Sequence, residues 1–190
     1  MRLARKFLTI LLIIINHSYA DFLDNFYKFL EHSSVIRMNI NFSQTQFDRK
    51  YESFGDFFIL GKRQYFYDSP DIKIHADSDN IVTKNYLNKQ VVYNNLVVEG
   101  LNIFDILSGN RKYIDFLRDE AEFNKFNFLI PKQGFEGYFL FEPKSGYLKS
   151  IFIELDMNQT IIINISGFEI LDSYIPKIEL DDFEVIDLRG

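Results

Sequence analysis

The chain contains no cysteine. That excludes a disulfide framework, a thiol nucleophile and thiolate metal sites. It also excludes a lipid-anchoring leader, which needs a cysteine at its cleavage point. Histidine is scarce, with 3 in 190 residues. His17 falls in the leader described below, which leaves His32 and His75. His32 lies near an expected helix end, where a lone histidine usually caps the helix or faces water. His75 stands close to Asp77 and Asp79, but the spacing fails as a calcium loop. Val82 sits where the loop glycine belongs and Asn88 where the glutamate belongs. No metal site and no cofactor are expected.

Catalytic motifs are also missing. There is no nucleophile elbow, no phosphate loop and no HExxH. The acidic pairs Asp77/Asp79 and Asp181/Asp182 fall in expected turns, where carboxylates solvate the chain. No pattern sets them across a cleft as glycoside hydrolysis requires. The expectation is a protein without enzyme activity.

Positive charge is in deficit. Lys and Arg number 21 against 27 Asp and Glu, giving a formal charge of -6. Arg2, Arg5 and Lys6 belong to the leader, so the remainder is more acidic still. Nucleic-acid binding needs a cationic surface, which this composition does not offer.

A long apolar run is absent too. Residues 7–15 are apolar apart from Thr9, and Asn16 and His17 close the run. A membrane span needs about 20 such residues. The basic start, the short apolar stretch and Ser18-Tyr19-Ala20 form a secretory leader instead. Residues 1–20 are expected to be cleaved, leaving 21–190 as a single domain. Export without disulfides fits the bacterial periplasm better than a eukaryotic secretory route.

What is plentiful is aromatic: 17% of the chain, with 21 Phe. An apolar cavity would use such residues, and an AT-rich genome would also supply them. The count alone does not choose between the two.

The elements are read from hydrophobic period. Residues 21–32 carry Phe22, Leu23, Phe26, Phe29 and Leu30 at helical spacing. From Val35 the period becomes two, with Ile36, Met38, Ile40 and Phe42 on one side. Strand-like runs follow at 56–60, 63–67, 72–75, 80–86 and 90–98, separated by short turns. The spacing predicts a short helix over 102–107, with Asn102 as cap and Ser108-Gly109 as stop. Residues 111–118 suit helix or strand equally. Strands resume at 123–130, 135–141, 148–156 and 159–166, and near 178–186. Close spacing implies hairpins, not βαβ units. The fold class is therefore α+β, mainly β: a large antiparallel sheet, with helices whose apolar stripes cover its concave face.

Several phrases, in order, resemble the periplasmic lipoprotein carriers of Gram-negative bacteria, the LolA-type family. They are Phe42-Ser43-Gln44, Gly55-Asp56-Phe57-Phe58-Ile59, Phe66-Tyr67-Asp68-Ser69-Pro70, Ala76-Asp77-Ser78-Asp79 and Lys89-Gln90-Val91, then Phe104-Asp105-Ile106-Leu107, Leu129-Ile130-Pro131 and the closing Val185-Ile186-Asp187-Leu188-Arg189. The resemblance covers nearly all of 21–190. It departs at Asp79, where the family has glycine, and at the family's Lys-Arg-Pro, for which this chain offers Leu60-Gly61-Lys62 or Lys62-Arg63-Gln64.

The resemblance implies a curved, unclosed barrel lidded by helices, with a hollow that takes lipoprotein acyl chains. It implies outer-membrane lipoproteins as cargo, an inner-membrane ABC-type release complex as donor and an outer-membrane receptor as acceptor, served by a monomer. On that basis Phe26 and Leu30 line the first lid, Phe42, Phe57 and Ile59 face the hollow, and Phe104 and Leu107 belong to the second lid. Each could equally be an ordinary core residue. Lys62 and Arg63 are the candidates for a lid tether or a partner contact, against a solvated hairpin pair. The alternative function is a periplasmic binding protein or enzyme for small lipids on the same scaffold.

Overall fold

The structure, a computed structural model, describes residues 21–31, 34–61, 63–77, 79–96, 103–109, 111–117, 122–180 and 182–189. The leader, Lys62 and Asn102 lie outside them.

The first element is helix α1 (Asp21–Leu30). It is followed by β1 (Val35–Gln46), β2 (Arg49–Gly61), β3 (Gln64–Asp68), β4 (Ile72–Ala76), β5 (Asn80–Asn85) and β6 (Gln90–Asn95). The short helix α2 (Ile103–Leu107) interrupts the strands. Then come β7 (Asp115–Leu117), β8 (Lys125–Ile130), β9 (Phe135–Phe141), β10 (Leu148–Asp156), β11 (Gln159–Leu171) and β12 (Glu184–Asp187). These strands join one sheet in the order β12-β6-β5-β4-β3-β2-β1-β11-β10-β9-β8-β7. The two edge strands are not paired with each other, so the sheet is open, as expected. The region that suited helix or strand equally, 111–118, supplies edge strand β7.

Two successive antiparallel meanders, β1 to β6 and β7 to β11, are joined along β1 and β11. Those two strands pair from Val35↔Leu171 to Gln46↔Gln159, with a bulge at Asn39/Ile40. The join puts the first strand of the chain in the middle of the sheet. Alternation then sorts the side chains. Ile36, Met38 and Ile40 of β1 face the same way as Phe57 and Ile59 of β2 and Ile163 and Ile165 of β11. This face forms the main core with α1 and α2.

The opposite face is covered in part by the C-terminal segment. A strand was expected near 178–186, but only Glu184–Asp187 pair, and they pair parallel to β6, the single exception to antiparallel order among the described strands. Before that, the chain crosses the outer face as an irregular strap. Tyr174 stacks on Phe58 with centroids 3.9 Å apart and planes 6° apart. Farther along, Lys84 Nζ donates to the Glu179 carbonyl at 2.6 Å and lies 4.2 Å from the Phe183 ring. No helix among the described residues is long and apolar enough to cross a membrane.

Candidate functional site

Helix α1 is ten residues long, too short to be stable alone. What holds it is its apolar stripe. Phe26, Tyr27 and Leu30 are buried. Phe26 packs edge-on against Phe139 at 6.2 Å and Phe141 at 6.0 Å, and Phe22 stacks on Phe141 at 5.9 Å. Phe29 meets Phe168 at 5.8 Å. Each full burial of such a side chain is worth about 1.5–3 kcal/mol. The helix is therefore held by a handful of aromatic contacts on one side, and by the Tyr27–Phe116 contact at 6.1 Å on the other.

Helix α2 buries Phe104, Asp105, Ile106 and Leu107, and Phe104 carries its aromatic contacts. Phe104 lies 5.4 Å from Phe57, 5.3 Å from Tyr67 and 5.8 Å from Tyr65. Phe42 stands 6.4 Å away. The Tyr67 hydroxyl in this cluster is matched by Ser53 Oγ at 2.9 Å. The helix then ends at Gly109, whose φ of +85° suits a residue without Cβ.

All seven residues expected to line a hollow reach the helix-covered face. Phe26, Leu30, Phe57, Ile59, Phe104 and Leu107 belong to its core, and Phe42 packs against it half-buried. Phe42 and Phe57 pack on Phe104. An open space lies between α1 and the turn joining β9 to β10. It is a groove of about 520 Å³ walled by Phe22, Phe26, Phe29, Phe168, Tyr147 and Leu148, among others. Phe26 is the only one of the seven on its wall. Phe123 and Tyr147 stand at its rim, 46% and 57% exposed. Asn25, Lys144 and Ser145 add polar atoms there. Gly146, at φ +73°, turns the chain so that a Cβ would come within 3.3 Å of the Phe22 ring.

Arg63 stands in the β2–β3 turn at φ +57°. Its Nε and Nη2 are buried and have no hydrogen-bond partner, so these two atoms tie down neither helix in this structure. Phe22, Phe29 and Phe168 are among the groove residues missed from the sequence. Phe22 and Phe29 were visible on the α1 stripe, and only the choice of Phe26 and Leu30 as its lining passed them over. Phe168 lies beyond Ser166-Gly167, where β11 was expected to have ended.

No family model matches the chain, and neither does any curated protein sequence. Among solved structures it is similar to an uncharacterized conserved protein from Thermus thermophilus, with 11% identity and a TM-score of 0.49 over 88% of this chain and 98% of that one. It is similar to a LolA superfamily protein from Nitrosomonas europaea, with 10% identity and a TM-score of 0.47 over 82% of this chain and 94% of that one. A DUF1329 family protein from Desulfovibrio piger shows 10% identity and a TM-score of 0.45 over 82% and 92%. The second bears the name of the group that the sequence resembles.

Proposed function

We propose that this protein carries acyl chains beneath helix α1, and that it serves as a periplasmic chaperone for outer-membrane lipoproteins. It would take them from an inner-membrane ABC-type release complex and pass them to an outer-membrane receptor, with no catalytic step. The observation that supports this is the groove: an aromatic-walled, half-open space whose one wall is a short helix held by few contacts.

The energetics suit a carrier. Each CH₂ withdrawn from water contributes about 0.8 kcal/mol, so free acyl chains do not cross an aqueous gap unaided. Tight holding would defeat delivery. At about 520 Å³ the groove has the size of a site for one small ligand. Several chains would need α1 to leave Phe139 and Phe141. That exposure of aromatic surface offsets part of what the chains gain, and keeps release within reach.

The groove's present size also favours a second reading, a binding protein for a single small lipid. Expression of the full chain in a bacterial periplasm, followed by lipid and intact-mass spectrometry, separates the two. Copurified triacylated lipoprotein supports the carrier. A free single-chain lipid supports the alternative. Protein that never holds an acyl compound sinks both.

A further inference from the structure

The core under α1 contains a hydroxyl that its surroundings do not use. Tyr27 is 3% exposed, and its hydroxyl oxygen is buried without a hydrogen-bond partner. The contrast with Tyr67, bonded to Ser53 at 2.9 Å, lies within the same core. An unmet buried hydroxyl is a liability that phenylalanine would avoid while filling the same space. Burial pushes the Tyr27 phenol far above its ordinary value, with nearby Arg111 opposing in smaller measure. The group is a proton donor throughout the physiological range.

Arg111 adds a second donor. Its guanidinium carbon lies 4.6 Å from the Tyr27 ring centroid, and its side chain is exposed. So α1 has two different flanks. Phe22, Asn25 and Phe29 face the groove, while Tyr27 faces Phe116 and Arg111. Phe26 stands between the two, lining the groove and packing 5.6 Å from the Tyr27 ring. One flank is an apolar trough. The other offers an unused donor and a cation.

We propose that Tyr27 and Arg111 bind the carbonyl end of an acyl cargo that runs under α1 with its tail in the groove. The Tyr27 hydroxyl donates to the acyl carbonyl oxygen. Arg111 faces the second oxygen when the cargo is a free carboxylate. A fatty acid and an ester-linked chain share the carbonyl, and only the fatty acid makes full use of Arg111. This assignment rests on the acyl-chain reading above.

The test uses the full chain processed in the periplasm and three tritiated probes: palmitate, methyl palmitate and hexadecane. With Tyr27→Phe, palmitate and methyl palmitate should bind about three- to tenfold more weakly, the value of one ordinary hydrogen bond. Hexadecane should bind as to the parent, and the variant should melt no lower. With Arg111→Gln, palmitate alone should weaken, by roughly tenfold. Equal binding of all three probes by Tyr27→Phe overturns the proposal. So does a parallel loss of hexadecane, or a lower melting temperature, since either makes the hydroxyl part of the packing. Unchanged palmitate binding by Arg111→Gln removes the carboxylate and leaves the ester as the cargo. If the parent protein binds none of the probes, the acyl-chain reading fails first; if it binds them and Tyr27→Phe changes nothing, only this assignment fails.

Discussion

Gly109 shows how much one residue can set at this site. It holds φ at +85° and closes α2. A Cβ there would lie 3.1 Å from Leu30 Cδ1 and 3.9 Å from the Tyr27 ring. The same residue thus ends one helix and lets the other settle against it. Gly109→Ala should cost about 1–3 kcal/mol, from the left-handed backbone and the crowding of Leu30 together. Urea unfolding measures this, and a change below about 0.5 kcal/mol would mean that the turn adapts freely. The alternation of Ile36, Met38 and Ile40, and the spacing of Phe26 and Leu30, are visible in the sequence because burial follows local period. Tyr27 is not. A tyrosine on a helical stripe looks like core filler, and whether its hydroxyl finds a partner depends on Ser53-like neighbours from distant strands.

At the scale of the element, strands β9 and β10 have the ends that the sequence predicts, whereas β2 and β11 run longer. Residues 49–55 look too polar for a strand, and the tight turn before them is Phe47-Asp48. Both hold positive φ, at 44° and 63°, in positions where Asn-Gly is the usual signal. In β11, Ser166-Gly167 resembles a stop, but the bulge at Asn39/Ile40 absorbs it and pairing continues to Leu171. Strand β12 was misplaced because nothing local marks a parallel partner. What holds its end is visible in the side chains. Asp187 accepts from Arg189 Nη2 at 2.6 Å and Nε at 2.9 Å, and the guanidinium lies 4.8 Å from the Tyr93 ring. The Arg189 side chain, then its backbone N–H, lowers the Asp187 carboxyl from 3.8 to about 2. A carboxyl depressed on folding contributes stability above its ordinary value and loses it as pH falls towards the folded one. The pair is exposed, so salt screens it and the effect is local. Between pH 4 and pH 2 the Leu188 amide, bonded to the Tyr93 carbonyl at 2.8 Å, should lose protection against hydrogen exchange, measured relative to its intrinsic rate at each pH. Arg189→Gln should remove that pH response, and a variant that keeps it would dismiss the clip.

The molecule as a whole is one sheet with two differently dressed faces. The expected open sheet under helices is one of them. The strap over the other left no periodic trace, because residues 172–180 and 182–183 are irregular and their contacts are set by where β2, β3 and β5 happen to lie. This division has a consequence for coupling. Tyr174 leans on Phe58 and Phe66 at 3.9 and 5.9 Å. Phe26 leans on Tyr27, Phe139 and Phe141 from the other side. They share no partner, and the sheet stands between them. Substitutions at sites with no shared partner usually add to within about 0.5 kcal/mol. Phe26→Ala should cost about 3–5 kcal/mol as a large-to-small change in a core, and Tyr174→Ala less, because it is only half-buried. The double variant should lose the sum, by urea unfolding of all four proteins. Tyr174→Ala should also leave palmitate affinity per folded molecule within about twofold, since it touches no groove residue. Phe26→Ala should shift that affinity, as Phe26 forms part of the groove wall. A double variant that departs from the sum by more than about 1 kcal/mol would show that α1 and the strap sense each other through the sheet. Cargo held on one face would then be felt on the other, and the strap would have to be counted as part of the binding site and not as the fastening of a strand edge.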